Sequence, residues 1–481
     1  MTAEAVAVGP QRPAMQRVLS AWGIATILIL ASVIAFAWTL HADLQRLFGM
    51  TAPAWDFAYD QQVIYNVSIG QGFYSSFARA DFLGIHFELI LVFLAAVEKF
   101  WPSPVVPLIF SSAGLAATAP AGYLFFRALL PENRPESRWL AVGLATPMPF
   151  WAAIQEAARD LFHPENMALA LAMLAAWAGI RGHRVLMWVL CVLVLMIKED
   201  QVFTVGVIGL LVAAYGAPSV RKHWRFIVYL AGAWFLIAII GVQSYLRGGG
   251  YSDFAYYGWL FKHPTTDAVL QALFATDPML VVAAVIAAMA ALPLLAPRWL
   301  LLVLPPYLLS VLSGHSFQKI LILHYVLLLL FPLVVAGGVG ARNLLARWSF
   351  HPAWVLAVML PALLIGFGAG RFPPSLGGDE PSLYARPDTV AQLEAATAAI
   401  PADACVSADG GLTPWLANRH TINDFPDKLS ADCYIVLDHD PYISGPTNRI
   451  VRQDAVDSLP ASGRRQIYDD GRFQVWTPVG G

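Results

Sequence analysis

The 481-residue chain is 58% hydrophobic and only 13% charged, with a mean hydropathy of +0.60. A typical soluble domain is about 45–50% apolar and about 25% charged, so a soluble globular protein is excluded. The net charge of −2 and the absence of a polybasic tract give no indication of nucleic-acid binding, and we expect none. Because the apolar residues fall in many separate runs, we predict an all-α polytopic membrane protein.

The N-terminal 17 residues form a short polar lead before the first apolar run, which extends from about 18 to 40. This run is too long for the core of a signal peptide, and no clean small-residue cleavage site follows it. Arg12 and Arg17 precede the run and favour the cytoplasmic side. We therefore predict a cytoplasmic N-terminus at 1–17 and a first span that is retained.

Eleven further apolar segments complete a predicted membrane domain over residues 18–372 with about 11–13 helices. They lie at roughly 85–101, 105–127, 139–155, 166–180, 184–197, 200–216, 224–246, 278–296, 299–314, 319–341 and 353–372. Basic residues mark cytoplasmic loops and place the C-terminal tail outside; they lie at 181–184, 220–225, 298 and 342–347. Twelve full crossings cannot connect an inside N-terminus to an outside C-terminus. One segment is therefore re-entrant, interfacial or miscounted, with 85–101 and 139–155 as the two alternatives.

The first external loop, at about 41–84, is unusual in composition. Its stretch "WDFAYDQQVIYNVSIGQGFYSSF" is too apolar for a solvated loop and too polar for a span. Amphipathic helices that lie in the membrane interface would suit it. Asp56 and Asp60 are four positions apart, so we expect them one helical turn apart on nearly the same face.

Two further polar clusters fall on the same predicted outer side. "DLFHPEN" at 160–166 precedes an apolar helix, and "KED" at 198–200 separates two apolar runs. Three consecutive charges between apolar helices need partners, which a buried site supplies. We therefore expect Asp56, the acids of 160–166 and Lys198 to face one cavity. No ligand spacing supports a metal role for His86 or His163.

The last segment, 373–481, is predicted to be a soluble α/β domain outside the cytoplasm. A Pro- and Gly-rich linker opens it, "PDTVAQLEAATAAI" has helical periodicity, and "ACVSA", "CYIVLD" and "RFQVWTP" are typical of short strands. Cys405 and Cys433 can pair in an oxidising compartment, but their geometry decides this and the sequence leaves it open. For Asp438 and Asp440 we favour a turn over a metal site.

The motifs of the outer loops resemble those of a known superfamily. A first span followed by a long external loop with an acid three positions before a tyrosine ("DFAY", Asp56 and Tyr59) resembles the GT-C integral-membrane glycosyltransferases. Those enzymes use polyprenyl-phosphate-linked sugars. Together "DFAYDQ", "HFEL", "FHPEN" and "KEDQ" look more closely like a family of uncharacterised bacterial predicted membrane proteins with GT-C-like architecture. This similarity covers most of residues 50–345.

The resemblance implies roles for the polar residues. Asp56 is the expected general base that deprotonates an acceptor hydroxyl, with Asp60 as the alternative, because burial raises a carboxyl pKa towards the working pH. Lys198 would pair with the lipid phosphate, held in place by Glu199 or Asp200. The full set of expected substrate-binding residues is Tyr59, Gln61, His86, Asp160, His163, Glu165, Lys198, Glu199 and Asp200.

The functional hypothesis is a glycosyltransferase of the bacterial plasma membrane that moves a sugar from a polyprenyl-phosphate donor to a glycan or lipid acceptor. The alternatives are a transporter or flippase for a lipid-linked or polar solute, and a non-catalytic assembly partner. The polar groups cluster in outward loops and no internal repeat is visible, which favours the enzyme over the transporter. Phe57 stands where many GT-C enzymes have a second acid. No cofactor is indicated, and dependence on a divalent cation stays open.

Overall fold

The described residues of this computed structural model are 14–248, 256–349, 359–360, 362–365, 368, 370, 381–427, 429–443 and 446–480. Within them, five helices are long and apolar enough to cross a membrane: Ala21–Phe48, Val105–Leu129, Trp224–Leu246, Thr266–Ala288 and Ser316–Arg347. Two shorter apolar helices are Arg184–Leu195 and Pro297–Val311. The prediction of a polytopic helical membrane protein is therefore confirmed. Most of the predicted last span at 353–372 and the linker from 373 lie outside the described residues.

The first helix, Ala14–Phe48, extends past its predicted end at about 40, so the first part of the predicted external loop is helical. Other helices of the membrane part are Thr118–Leu129, Pro135–Ala145, Ala152–Ala158, Ala168–Arg181, Val202–Tyr215, Trp224–Phe235, Thr276–Ala288 and Leu304–Val311. Many large apolar side chains on the first helix are exposed, among them Trp22, Ile29 and Val33. Such a face is suited to contact with lipid.

Neither of the two alternative segments forms a continuous span. In 85–101 the helix is only Leu91–Glu98, eight residues long, which covers about 12 Å. In 139–155 the chain is divided among the helix Pro135–Ala145, a 3-10 turn at Met148–Phe150 and the helix Ala152–Ala158. Pro147 and Pro149 lie at the break, where proline cannot donate the helical hydrogen bond.

The helix Leu327–Arg347 lies at the centre of the membrane part, and most of its side chains are buried. Gly337, Gly338 and Gly340 allow this close packing, because a Cβ atom at these positions would collide with Met289, Leu129 and the Leu292 backbone, respectively. The 3-10 turn Leu323–Val326, which contains His324, leads directly into the start of this helix.

The C-terminal part contains a five-stranded mixed sheet. Val406–Ala408 pairs in parallel with Ile422–Asp424 on one side and with Tyr434–Asp438 on the other. Phe473–Trp476 joins Tyr434–Asp438 antiparallel, and Gln466–Asp469 forms the far edge. The helices Val390–Thr397 and Pro446–Ser458 accompany the sheet. Three strands and the helix Val390–Thr397 coincide with the predicted segments. The strands Ile422–Asp424 and Gln466–Asp469 were not predicted.

Cys405 and Cys433 form a disulfide, with their Cα atoms 4.5 Å apart. The register explains this proximity, because Val406 and Tyr434 are direct partners in neighbouring parallel strands and each cysteine precedes one of them. The question left open by the sequence is thus answered by strand pairing. The predicted turn at Asp438 is also present, since its Oδ1 accepts a hydrogen bond from the Asp440 backbone N–H at 2.8 Å.

The C-terminal domain packs directly on the first loop, and in particular on the helix Tyr59–Ser68, here called the first-loop helix. Gln61 Nε2 donates to Asn418 Oδ1 at 2.9 Å, and Gln62 Nε2 donates to the His420 carbonyl at 2.8 Å. Trp415 Nε1 donates to the Leu47 carbonyl at 3.0 Å. The expectation of amphipathic interfacial helices is therefore wrong for this helix, because protein covers its polar face.

Candidate functional site

Ionisable side chains from five separate segments gather beside the first-loop helix. We call them the acidic–histidine cluster: Asp60, Glu88, Asp160, His163, Glu165, Lys198, Glu199, Asp200 and His324. All except the partly buried Asp200 are at most 9% exposed. The structure thus brings together the "DLFHPEN" acids and the "KED" triplet, which are far apart in sequence.

The cluster residues lie at helix ends and short turns rather than inside long helices. His163 and Lys198 have extended backbones and each precedes a 3-10 turn, at Pro164–Met167 and Glu199–Gln201. His324 lies in the 3-10 turn Leu323–Val326, which leads into the central helix. Extended and 3-10 backbone between apolar helices lets several side chains point to one place, which a continuous helix would not allow.

Lys198 is paired with Glu165, whose Oε1 lies 2.5 Å from Nζ. Burial opposes both charges, but Glu165 and Glu88 raise the pKa of Lys198 above its usual value. Lys198, with His324 and His163, lowers the pKa of Glu165 despite its burial. Both groups are therefore charged at neutral pH.

The expectation that Glu199 or Asp200 holds Lys198 is wrong. Glu199 instead accepts a hydrogen bond from the Phe87 backbone N–H at 2.7 Å and lies 3.4 Å from His86 Nδ1. Asp200 accepts from Gln201 Nε2 at 3.1 Å, and burial raises its pKa to about 7 against the lowering effect of Lys198. The chain direction at the 3-10 turn points the three consecutive side chains to different partners.

A second pairing connects the "DLFHPEN" segment to the central helix. His324 Nδ1 lies 2.5 Å from Asp160 Oδ2, and His163 Nδ1 lies 3.5 Å from the same oxygen. The two imidazole rings are stacked with centroids 3.8 Å apart. Burial favours the neutral carboxyl, but His163 and His324 outweigh it and lower the pKa of Asp160.

Asp56 differs from the rest because it is exposed and lies at the edge of the cluster. Its backbone has φ 70° and ψ −77°, and Trp55 before it is extended. The helix begins only at Tyr59, so the expectation that Asp56 and Asp60 share a helical face is wrong. Asp60 is buried, and burial followed by the charge of Asp56 raises the pKa of Asp60 well above its usual value.

Three of the predicted substrate-binding residues, Tyr59, Gln61 and His86, are not members of the acidic–histidine cluster. Gln61 is fully buried, and its amide donates to Glu98 Oε1 at 2.8 Å and to Asn418. Tyr59 packs edge-on against Phe82 with ring centroids 5.0 Å apart, and its buried hydroxyl makes no hydrogen bond. His86 is partly exposed and contacts only the Glu199 side of the cluster among the described residues.

Sequence reasoning did not include His324 or Glu88 among the site residues. Glu88 is buried beside Asp60, Glu165 and Lys198, and its Oε2 atom makes no hydrogen bond. Its signal in the sequence was an acid two positions after His86, directly before an apolar helix. For His324 the signal was a histidine at the start of a strongly apolar span.

An apolar groove of about 210 Å³ lies beside the 3-10 turn that carries His324. Trp151, Val281 and Val285 line it together with Ile322 and Val326, each of which is two positions from His324 in the sequence. Glu156 is its one charged lining residue among those described, and its Oε2 lies 2.8 Å from Arg159 Nη1. The groove therefore offers an apolar surface with one buried acidic side chain, that of Glu156, in its wall.

The comparisons with known proteins identify a family but no characterised relative. A family model described as "Predicted membrane protein (DUF2079)" matches residues 46–446. No curated protein matches the chain. The matched region includes every residue of the acidic–histidine cluster and most of the C-terminal domain.

Proposed function

The chain belongs to the DUF2079 family of predicted membrane proteins, and we propose that it is a membrane-embedded glycosyltransferase. In this proposal it moves a sugar from a polyprenyl-phosphate donor to a glycan or lipid acceptor at the outer face of the plasma membrane. The observation that carries the proposal is the position of Asp56, an exposed carboxylate at the edge of a buried acidic–histidine cluster.

The reaction needs a base that reaches the acceptor hydroxyl. Asp56 is accessible, and it is held in the γ-turn region of backbone space, which a non-glycine residue rarely adopts. Such conformations cost about 1–3 kcal/mol and are concentrated at functional sites. Asp60 behind it is buried and serves to shape the electrostatic environment of the base.

The donor needs a cation for its phosphate and an apolar surface for its lipid. The Lys198 ammonium has three N–H donors and uses one of them for Glu165. The other two are the donors that we assign to the phosphate of the substrate. His163, Asp160 and Glu165 form the adjoining polar wall beside the sugar. The apolar groove around Trp151 and Val326 is suited to the isoprenoid chain.

The disulfide supports the outer-face assignment. Cysteine pairs persist in oxidising compartments and are rare in the bacterial cytoplasm. Cys405 and Cys433 are bonded in a domain that packs on the first loop, so both would lie on one side of the membrane. This matches the orientation expected from the basic loops.

The test is transfer from a radiolabelled polyprenyl-phosphate sugar by the purified full-length protein. Asp56→Asn keeps the side-chain shape and removes its basicity, so transfer should fall by about 10²–10⁴-fold. Glu394→Gln, at an exposed position on the C-terminal domain, is the matched control and should transfer at the wild-type rate. Asp60→Asn should reduce transfer less than Asp56→Asn.

Three outcomes would contradict the proposal in different ways. If Asp56→Asn is fully active while Asp60→Asn is inactive, the base is Asp60. If both variants retain full activity, a carboxylate base in the first loop is wrong. A wild-type protein that moves the labelled lipid between leaflets and forms no glycosidic bond would instead support a flippase.

A further inference from the structure

Two stacked histidines and one aspartate converge at the inner end of the acidic–histidine cluster. The Nδ1 atoms of His163 and His324 both face Oδ2 of Asp160, at 3.5 Å and 2.5 Å. One ligand atom from each of the three residues lies within 4.8 Å of those of the other two. All three side chains are at least nine-tenths buried. This convergence is the geometry that a metal ion requires of its ligands.

One of these donors has no hydrogen-bond partner. Nδ1 of His163 is buried and makes no hydrogen bond, although it faces the carboxylate. A buried polar atom left without a partner costs about 1–3 kcal/mol. Nearby, Oε2 of Glu165 is also buried and unpaired. The unpaired Nδ1 of His163 is the independent sign that a ligand belongs beside it.

The charge around the three residues favours a cation. Asp60, Glu88 and Glu165 lie within electrostatic range of one another and of Lys198, the one ammonium in the cluster as described. Buried carboxylates are costly unless they are paired or bind a metal. Burial raises the pKa of Asp60 and of Glu88, and a nearby divalent cation would oppose this by favouring their charged forms.

The surroundings of His324 have the arrangement found behind metal-bound histidines. Its second ring nitrogen, Nε2, faces Glu165 Oε1 at 3.9 Å. Glu165 is itself held by Lys198 at 2.5 Å. Metal-binding histidines usually direct the nitrogen that does not bind the metal at a carboxylate, which fixes the ring orientation.

We propose that Asp160, His163 and His324 form a binding site for one divalent transition-metal ion, with Zn²⁺ as the best match. Two imidazoles and one carboxylate are the ligands of open zinc sites, which keep a further position for water or substrate. Mg²⁺ and Ca²⁺ prefer oxygen ligands alone. Binding would part the Asp160–His324 contact and place the metal between the three ligand atoms.

The experiment measures metal on the purified full-length protein and does not depend on the transferase proposal. The protein is treated with a chelator, dialysed and titrated with Co²⁺, whose visible absorption reports ligand geometry. We expect one Co²⁺ per chain, displaced by one equivalent of Zn²⁺ and not by an excess of Mg²⁺. A wild-type protein that binds neither Co²⁺ nor Zn²⁺ overturns the proposal, whatever its activity.

Variants then locate the site. His163→Gln and Asp160→Asn should each abolish the Co²⁺ absorption, and Glu165→Gln should weaken binding by about 10–100-fold. His86→Gln is the matched control, since His86 also faces a cluster carboxylate but belongs to the Glu199 side. Equal loss of binding in His86→Gln and His163→Gln would contradict the assignment. Wild-type stoichiometry decides the proposal if a ligand variant fails to fold.

Discussion

At the scale of single residues, Asp56 combines an exposed carboxylate with a strained backbone. Its positive φ of 70° is unfavourable for any side chain and acceptable for glycine. Its neighbours Phe57 and Ala58 are completely buried, so packing holds the conformation in place. Strained backbone of this kind is concentrated at functional sites, which is consistent with the proposed role of Asp56.

This strain leads to a prediction about stability. Asp56→Gly should raise the thermal midpoint of the detergent-solubilised protein relative to Asp56→Ala, because glycine relieves about 1 kcal/mol or more of strain. Both variants lack the carboxylate, so both should be inactive in sugar transfer. The difference between their midpoints therefore isolates the backbone effect. A glycine variant less stable than the alanine variant would contradict it.

Glu98 leads to a prediction about pH. Burial raises its pKa to about 7, against the lowering effect of the Gln61 hydrogen bond, from an ordinary value of 4.5. The folded protein therefore holds this proton more tightly than the unfolded chain does. Its contribution to stability is complete below about pH 4.5 and is lost as the pH rises to about 7.

The measurement compares wild type with Glu98→Gln, which keeps an acceptor for Gln61. From pH 5 to pH 8 the wild-type free energy of unfolding should fall relative to the variant by roughly 2–3 kcal/mol. Most of this change should be complete by about pH 7. A difference between the two proteins that does not vary with pH would show that Glu98 is ionised in the folded state.

At the scale of elements, the helix Pro446–Ser458 is fixed to the sheet by a buried ion pair. Arg452 Nε and Nη2 donate to the Asp409 carboxylate at 2.6 and 2.7 Å, and Nη2 also donates to the Asp438 carbonyl. Asp409 follows the strand Val406–Ala408, and Asp438 ends the neighbouring parallel strand Tyr434–Asp438. The pair therefore joins the helix to the carboxyl ends of two central strands of the sheet.

Removal of one partner should destabilise the C-terminal domain. Arg452→Met leaves the Asp409 charge buried and should cost about 3–5 kcal/mol of unfolding free energy. Arg452→Met combined with Asp409→Leu should recover most of that loss, since no charge remains buried. Arg449→Met, at an exposed position of the same helix, is the control. A double variant as unstable as Arg452→Met alone would contradict the explanation.

At the scale of the whole molecule, the C-terminal domain and the first-loop helix pack as one unit. Ser76 Oγ accepts from the Ile422 N–H at 2.9 Å, Tyr74 stacks on His420, and Phe48 packs against Trp415. The first-loop helix carries Asp60 into the cluster. We infer that the soluble domain holds the first loop in the conformation that positions Asp56 and Asp60.

Loss of the contact between the C-terminal domain and the first loop should increase local opening of the first-loop helix and leave the rest of the protein unchanged. Trp415→Ala removes the packing on Phe48 and the hydrogen bond to Leu47, so amide exchange in 59–68 should become faster. The central helix Leu327–Arg347 does not form this interface and serves as the internal control. Equal acceleration in both segments would indicate general destabilisation instead of domain docking.

The sequence by itself determined the class of the protein and the positions of many elements. Hydropathy is a local property, so long apolar runs identify spans such as Trp224–Leu246 without knowledge of their neighbours. Alternation in "CYIVLD" likewise located the strand Tyr434–Asp438. The motifs around Asp160 and Lys198 marked the two segments that meet in the cluster.

Only the tertiary structure decided which polar side chains face each other. The partner of Lys198 is Glu165, 33 positions away, and not the adjacent acids, because a 3-10 turn directs consecutive side chains apart. Gln61 belongs to an interface with Asn418, 357 positions away. His324 contacts Asp160, 164 positions away, from the 3-10 turn that precedes the central helix. Polar partnerships depend on how elements pack in space, and a local pattern carries no record of that packing.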